Sequence, residues 1–389
     1  MSRLRFVACG SAFVVVALAY ALPPLLPDLA ETYGLNEVQL GLLVAVYQVG
    51  QLVAAIPFGL IGRRLGSKNA LVGGLWLLCL TSLTFGLSNE YGLLLLSRFV
   101  QGAASVLCWS AGMSWIVEID GSRRRGQAIS TVTGAGAAGA VVGPLAGALA
   151  GAVGMTLAFS CLAALVVPLI VVAGATPAGD VQAGASRHYV FHEKRRSRHK
   201  MLIALWLVAL PSISLAALSV VGPLQLHQTG WGAGGIAASY LTAAVVGVVG
   251  RPIVGRYSDR RGRLAPIFMI LLVCLPVMLL IAWIRARFML AGLFATAVLF
   301  YGALWGPSMA LLADEWEEIG VTQVLGFALM YLITAPVGVI GSFGGGALAA
   351  GAGDRTVLLC IAALSLGSVF VIRRLLRRQI NEPRQSVLA

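Results

Sequence analysis

Residues 59–68 read GLIGRRLGSK, and residues 255–263 read GRYSDRRGR. Each basic stretch follows a long apolar segment. The glycines at 59 and 66 recur as Gly255 and Gly262, 196 positions later, which is about half of the chain. A basic turn that repeats in register predicts an internal duplication, in which each copy takes the same place in one half of the protein.

The composition indicates a membrane protein. Of the 389 residues, 59% are hydrophobic and 11% are charged, whereas a soluble domain carries about 25% charged residues. Apolar stretches of about 20 residues, the length of a helix that crosses a bilayer, recur twelve times. They lie at 6–26, 39–61, 69–88, 91–117, 127–150, 154–174, 201–226, 234–257, 264–284, 288–313, 321–350 and 354–374. They do not alternate apolar and polar residues, so helices rather than barrel strands are predicted.

The longest polar interval lies between the sixth and seventh stretches. We therefore predict an all-α membrane protein of twelve transmembrane helices, built as two six-helix pseudo-repeat halves. The halves are placed at 1–174 and 201–375, with a cytoplasmic linker at 175–200 and a cytoplasmic tail at 376–389. The histidines of the linker could form a metal site, but a solvated linker that faces the lipid headgroups is the favoured interpretation.

The basic residues predict the orientation. All but four of the 28 Lys and Arg residues fall on one side of a twelve-span arrangement; Arg98 lies within a span, and Arg285, Arg287 and Arg355 lie on the other side. The positive-inside rule then places both termini in the cytoplasm, in a multi-pass protein of the inner membrane. This placement explains the net charge of +13 without a nucleic-acid partner.

Enzymatic chemistry is not expected. The six cysteines lie in apolar stretches without a CxxC pair, which is typical of buried apolar side chains rather than of disulfides or metal ligands. We find no Ser/His/Asp set, phosphate loop or metal cluster. No cofactor and no metal are predicted.

The two loops resemble the signature of the major facilitator superfamily, written G-x-L-x-D-R-x-G-R-[RK]. The second loop matches it at Gly255, Asp259, Arg260, Gly262 and Arg263. The first loop keeps Gly59, Ile61, Arg64, Gly66 and Lys68, but Arg63 stands where the family has Asp. The resemblance implies a loop whose acid and arginines form ion pairs that hold the two halves together on the cytoplasmic side when the cavity faces outward.

Because Arg63 replaces the acid, the first loop needs another partner for such pairs. The acidic run after the tenth span, with Asp314, Glu315 and Glu317, is the candidate. It could pair with Arg63, Arg64 or the basic residues at 123–125. The alternative is a solvated loop, since exposed ion pairs contribute only about 0–1 kcal/mol.

Two further stretches sharpen the resemblance. Residues 98–102 match the family element R-x-x-Q-G, and residues 139–147 match G-x-x-x-G-P-x-x-G, which is typical of drug:proton antiporters. The resemblance implies that Gly143 and its neighbouring glycines let the fifth helix pack closely and that Pro144 bends it. It favours an exporter.

Arg98 is the most informative candidate for transport, because a charge within a span must face protein or water. Helical spacing places Gln101, Ser105 and Trp109 on its face. Arg98 could bind an anionic group of the substrate or tune a proton carrier; alternatively, it ties its helix to neighbouring carbonyls. Further candidates for substrate contact are Tyr20, Tyr47, Gln48, Gln51, Tyr301, Trp305 and Tyr331.

No Asp or Glu lies near the middle of a span, which argues against cationic substrates. Asp28, at the outer end of the first span, remains the best proton carrier, although a solvated position is the alternative. We expect a monomeric secondary active exporter of a small neutral, amphipathic or anionic molecule, driven by proton antiport across the lipid bilayer. The alternatives are an uptake symporter or uniporter for a small anionic metabolite, and a non-transporting sensor or assembly partner.

Overall fold

A computed structural model describes the protein over residues 3–120, 125–176, 198–318 and 323–385. Within these ranges the elements are helices, and one 3-10 turn at Pro23–Leu25 separates the first two. The helices are α1 Arg3–Ala21, α2 Leu26–Tyr33, α3 Glu37–Leu87, α4 Tyr91–Asp120, α5 Arg125–Val153, α6 Met155–Ala175, α7 Arg198–Gln228, α8 Ala233–Arg261, α9 Leu264–Trp283, α10 Arg287–Glu318, α11 Gln323–Ala352 and α12 Asp354–Gln385.

The predicted all-α membrane fold is confirmed. In the described ranges, eleven helical segments are long and apolar enough to cross a membrane, and α8 begins with a shorter apolar stretch at Ala233–Val248. α3 supplies two of the eleven, Glu37–Pro57 and Leu65–Leu87. The twelve crossings therefore follow the order predicted from the apolar stretches.

The first crossing is longer than the sequence predicted. The apolar run predicts a crossing at 6–26, whereas the helical segment runs from Arg3 to Tyr33. Pro23 and Pro24 interrupt it, because proline has no backbone N–H for the helical ladder and its ring clashes with the preceding turn. The chain forms the 3-10 turn there and resumes as α2.

The two signature loops share one backbone conformation. Gly66 breaks α3 with φ 78° and ψ 154°, and Gly262 ends α8 with φ 85° and ψ 159°. Only glycine adopts this region without strain. The repeat seen in the sequence is thus matched by the same turn at equivalent positions, which supports the internal duplication.

We call α1–α6 the N-terminal half and α7–α12 the C-terminal half. One large hydrophobic cluster is formed almost entirely by the N-terminal half, and a second lies within the C-terminal half. The end of the bundle that carries Gly66 and Gly262 is called the basic end. The other, which carries the turns at Gly34–Asn36, Ser88–Glu90 and Gly353, is called the opposite end.

Small residues let the two halves touch at the opposite end. A Cβ atom added to Gly41 of α3 would lie 2.7 Å from the Ser342 carbonyl oxygen of α11, and one added to Gly346 would lie 2.5 Å from that of Glu37. Here two helix backbones approach without side chains between them. This part of the described interface is closed.

The fifth helix packs on the first through a ladder of glycines. A Cβ atom at Gly139 would collide with the carbonyl oxygen of Phe13, and one at Gly147 with that of Ala21. Between them, a Cβ atom at Gly143 would lie 2.6 Å from the carbonyl oxygen of Ala17. The four-residue spacing on both helices therefore aligns the glycine-rich face of α5, which also contains Pro144, with the backbone of α1.

Candidate functional site

A cavity of about 320 Å³ lies between the two halves. Helices of both halves contribute side chains to it. The described lining consists of Ala19, Tyr20, Leu22, Pro23, Val44, Tyr47, Gln48, Gln51, Arg98, Ser212, Leu215, Ala216, Ser219, Tyr240, Val298, Trp305, Thr334 and Gly338. Arg98 is the sole charged residue of that described set, which contains no Asp or Glu.

Arg98 projects from α4 and is 3% exposed. Its Nη1 atom donates to the Gln101 side-chain oxygen at 2.9 Å and approaches the Leu18 carbonyl oxygen at 3.5 Å. Its guanidinium carbon lies 4.5 Å from the centroid of the Tyr47 ring. These described partners are all neutral, so dipoles and a π face stabilise the cation without cancelling its charge.

The Arg98 side chain also retains an unused donor. Its Nε atom is buried and has no hydrogen-bond partner, and the side-chain nitrogen of Gln101 is in the same state. Buried polar atoms are normally paired. Because Arg98 also carries an uncompensated positive charge, the part of the cavity that it lines is suited to bind a negatively charged group or a hydrogen-bond acceptor.

Close packing of α3 on α4 holds Tyr47 over Arg98. A Cβ atom added to Gly102 would collide with the Tyr47 carbonyl oxygen, and one added to Gly50 would collide with the Phe99 carbonyl oxygen. Glycine at both positions therefore allows direct backbone contact beside the site. Helix association through small residues in this manner is common in membranes.

Two amides extend the polar wall along α3. The Gln51 side chain donates to the Ser105 hydroxyl at 3.1 Å, and Ser105 donates in turn to the Gly102 carbonyl oxygen at 2.6 Å. Gln48 lies one turn earlier, beside Gly338 of α11, and its buried oxygen has no partner. This oxygen supplies an acceptor to the same cavity that Arg98 lines.

The C-terminal half contributes hydroxyl groups. Ser212, Ser219 and Thr334 each donate to a carbonyl oxygen of their own helix, at 2.7 to 2.9 Å. Their oxygen lone pairs therefore stay available to a ligand. The Tyr240 hydroxyl, from α8, is buried without a partner.

The structure gathers most of the predicted substrate residues around one space. Six of the ten line the cavity: Tyr20, Tyr47, Gln48, Gln51, Arg98 and Trp305. Gln101 is not among the described lining residues, but its side-chain oxygen accepts a hydrogen bond from Arg98, which is. Tyr331 lies three residues before the lining residue Thr334, on the same face of α11.

Two predicted residues lie elsewhere. Trp109 packs beside Ala8, Met113 and Val132, and its indole nitrogen has no partner. Tyr301 is fully buried within the C-terminal half, where its hydroxyl lies 2.7 Å from that of Ser365. Neither is among the described lining residues.

The polar lining of the C-terminal half was not predicted from the sequence; it consists of Ser212, Ser219, Tyr240 and Thr334. A signal was present for two of them. Ser212 and Ser219 are seven residues apart, which places them on one helical face. Nothing in the sequence around Tyr240 or Thr334 distinguishes them from other polar residues in spans.

The predicted gating residues are only partly described. The side chains of Arg63, Arg64, Asp259 and Glu317, and the surroundings of Gly59, lie outside the described part of the chain. Arg263 binds Asp314, with 3.1 Å between Nε and Oδ2, and Glu315 is half-buried. Asp314 therefore has a partner within its own half, in the second signature loop, whereas the expected partners were basic residues of the N-terminal half.

Three other predicted gating residues are described, as is the predicted proton carrier. Gly255 lies within α8, Arg260 is exposed near its end, and Gly262 forms the turn that follows. Asp28 lies on α2, half-buried, and its carboxylate is close to Gly151 of α5. It sits at the opposite end of the bundle from the loops.

Comparison with known proteins agrees with this architecture. The family model of the Major Facilitator Superfamily matches residues 8–337. The chain resembles a bacterial homolog of the human lysosomal transporter Spinster, in an inward-facing and unoccupied conformation, with a TM-score of 0.73 and 14% identity over 96% of this chain and 98% of the other. At that identity the likeness concerns the fold alone.

Two groups of relatives are similar in sequence over part of the chain. The synaptic vesicular amine transporter of Mus musculus is 27% identical over 241 residues, which are 59% of this chain and 45% of that protein. Multidrug resistance protein 2 of Bacillus subtilis is 26% identical over 121 residues, 31% of this chain and 30% of that protein. The matched regions thus span less than half of these relatives.

The family match covers most of the chain, and it coincides with two signature turns, twelve crossings and a cavity between two halves. The chain belongs to the Major Facilitator Superfamily of membrane transporters.

Proposed function

We propose that this protein is a secondary active transporter that exports a small organic molecule by alternating access, in exchange for protons. The observation that carries the proposal is the cavity between the halves, in which Arg98 is buried among neutral partners. A binding site at the interface of two pseudo-repeats suits a rocking mechanism, because each half can move as a body around a fixed ligand.

The lining favours a neutral, amphipathic or anionic substrate. Arg98 supplies an uncompensated positive charge, and the described lining offers no carboxylate to bind a cation. Tyr20, Tyr47 and Trp305 add aromatic area for the body of the ligand. The volume of about 320 Å³ is at the lower end of known ligand sites, about 300–1,000 Å³, which fits a small molecule.

Export is supported by two observations. The glycine ladder of α5 contains the element that resembles drug:proton antiporters, and a multidrug resistance protein is among the relatives. The relatives also include amine transporters by name, and alkyl amines carry a positive charge at neutral pH. The charge of this cavity is the reason we do not extend that substrate class to this chain.

The proposed orientation follows the distribution of basic residues. The basic end carries Lys68, Arg256, Arg260 and Arg263, so we assign it to the cytoplasm and the opposite end to the exterior. Both termini are then cytoplasmic, and the protein resides in the inner membrane.

The proposal is tested in two stages. First, thermal shifts of purified protein with size-matched carboxylates, neutral compounds and amines identify ligands; we expect stabilisation by the first two classes. Second, inside-out vesicles with an acidic interior should accumulate the ligand, and an ionophore that collapses the pH gradient should stop the accumulation. Accumulation in right-side-out vesicles from an acidic bath would establish uptake instead. Absence of flux under every gradient would favour a sensor.

A further inference from the structure

The guanidinium group of Arg98 has one edge without a protein partner. Of its three nitrogen atoms, only Nη1 has hydrogen-bond partners in the described part of the chain, at Gln101 and Leu18. Nε is buried without a partner. The N–H bonds of Nε and Nη2 point in parallel from the same edge of the group, and this fork matches the two oxygens of a carboxylate. The free edge of Arg98 therefore suits a carboxylate.

Gln101 adds a second free donor. Because arginine can only donate, the bond from Arg98 Nη1 fixes the side-chain oxygen of Gln101 toward Arg98. The side-chain nitrogen of Gln101 is then turned to the other side, where it is buried without a partner. The described lining of the cavity has no Asp or Glu to use these donors. The N-terminal half thus supplies a positive charge and free donors.

The C-terminal half supplies acceptors instead. Ser212, Ser219 and Thr334 each use their single hydroxyl proton in a bond to a carbonyl oxygen of their own helix. They offer only lone pairs to the cavity, so they suit a ligand group that donates. Gln48 adds a free oxygen where α3 packs against Gly338 of α11. The cavity is therefore polarised, with the donors and the acceptors mainly on different halves.

A carboxylate cannot donate to these acceptors, so a second group of the ligand must do so. An ammonium group is disfavoured, because burial of a charge among neutral groups is costly and Arg98 repels it. A hydroxyl group needs only a lone pair and carries no charge. The rings of Tyr20 and Trp305, which also line the cavity, suit an apolar body between the two polar ends.

We propose that the substrate is a small hydroxy carboxylate that bridges the two halves. Its carboxylate binds the free edge of Arg98, and its hydroxyl donates to the acceptors formed by Ser212, Ser219 and Thr334. The inference rests on the proposed function, in which this cavity is the substrate site, and it narrows the substrate class. A carboxylate without the hydroxyl engages the N-terminal half alone, whereas the hydroxy acid contacts both of the bodies that move in alternating access.

The test measures binding to purified protein by isothermal titration calorimetry, without any gradient. Two sets of probes differ by one hydroxyl: benzoate with 3- and 4-hydroxybenzoate, and hexanoate with 6-hydroxyhexanoate. 4-(Aminomethyl)benzoate carries an ammonium group instead. We expect at least one hydroxy acid to bind about three- to tenfold more tightly than its parent acid, the effect of one neutral hydrogen bond. The ammonium compound should bind more weakly than benzoate.

Gln101→Glu tests the carboxylate end. The new side chain still presents an oxygen to Arg98 Nη1, but it cancels the charge of Arg98 and removes the free nitrogen. It should weaken the binding of every carboxylate about ten- to a hundredfold. Should Gln101→Glu not fold, Arg98→Lys serves in its place, because it keeps the charge and lacks the fork. Unchanged affinity in the folded variant would contradict the assignment.

Ser212→Ala, Ser219→Ala and Thr334→Val test the hydroxyl end. One or more of them should abolish the preference for the hydroxy acid and leave the affinity for the parent acid unchanged. Thr242→Val is the matched control. Its hydroxyl also donates to its own helix, at 2.8 Å, but it is exposed and is not among the described lining residues. This control should keep the preference.

Three results would overturn the proposal: equal binding within each probe set, tighter binding of 4-(aminomethyl)benzoate than of benzoate, or no binding of any of these acids. Failure of the inference is distinguishable from failure of the proposed function. Proton-driven export of a neutral compound or an amine, without binding of the acids, would reject the hydroxy acid and leave the exporter standing. Binding of the hydroxy acid with the expected effects of the variants, but without flux under any gradient, would leave the site standing and reject the transporter.

Discussion

The guanidinium carbon of Arg98 lies 4.5 Å from the centroid of the Tyr47 ring, so the cation of α4 rests on an aromatic face of α3. Two hydrogen bonds from its Nη1 atom, to Gln101 and Leu18, complete the described surroundings. An arginine held in this way is fixed in place but keeps its charge. Insertion of a charged side chain into a membrane is costly. The contact between α3 and α4 stabilises this one and leaves its charge available to the cavity.

We therefore expect Tyr47→Leu to impair both stability and transport. Loss of the ring removes a desolvated cation–π contact, worth about 1–2 kcal/mol, and lets the guanidinium shift. Tyr47→Phe retains the aromatic face and should stay close to the parent protein. Thermal unfolding and vesicle flux measure the two effects. Equal behaviour of the Leu and Phe variants would show that the ring does not support Arg98.

Gly102→Ala should destabilise the protein, because the new methyl group collides with the Tyr47 carbonyl oxygen. Backbone cannot yield as a flexible side chain can, so α3 and α4 must separate, at a cost of about 1–3 kcal/mol. Gly92→Ala, on the same helix with open space around it, is the control and should leave the melting temperature unchanged or slightly higher. A Gly102→Ala protein as stable as this control would contradict the described packing.

Gly346→Ala should bias the protein away from closure at the opposite end. Its methyl group would lie 2.5 Å from the Glu37 carbonyl oxygen and 3.2 Å from the Gly41 Cα atom, across the joint between the halves. Gly344→Ala, on the same helix with no atom within 4 Å, is the matched control. Spin-label distances across this end should lengthen in the first variant and not in the second.

Tyr301→Phe should lower stability without altering substrate affinity. The Tyr301 hydroxyl lies 2.7 Å from that of Ser365, buried between α10 and α12 and away from the described cavity lining. Removing it leaves the Ser365 hydroxyl without that partner, at a cost of about 1–3 kcal/mol. Thermal unfolding should register the loss, while the KM for flux stays the same. A raised KM at normal stability would instead place Tyr301 at the substrate.

The ion pair between Arg263 and Asp314 should contribute little to stability. Both side chains are partly exposed, 28% and 53%, and exposed pairs measure about 0–1 kcal/mol. A double-mutant cycle with Arg263→Gln and Asp314→Asn, followed by thermal unfolding, gives the coupling energy. A coupling well above that range would show that the pair acts in a larger network at the basic end.

Several features of the fold were predictable because they depend on local chemistry. Apolar runs of bilayer length predicted the crossings, since a helix in hydrocarbon must satisfy its own backbone. The equivalence of Gly66 and Gly262 was visible as a repeat and was confirmed as a shared backbone turn. The break at Pro23 and Pro24 was missed, because the apolar run continues through the two prolines and masks it.

The candidate site was predictable only in part. Arg98 was evident because a charge within an apolar span is rare, and Gln101 followed from its position one turn later. Tyr301 and Tyr240 illustrate the limit. Both are tyrosines in spans of the C-terminal half, but Tyr240 lines the cavity and Tyr301 bonds to Ser365.

The sequence alone determined the number and order of the crossings, the duplication and the presence of one buried cation. The tertiary structure decided which face of each helix meets the cavity and which residues join the halves, including Glu31 and His227. The physical reason is the solvent: lipid and protein interior are both apolar, so most faces of a helix in a membrane show no contrast between polar and apolar residues that would reveal its rotation. Only contacts between neighbouring helices set that rotation.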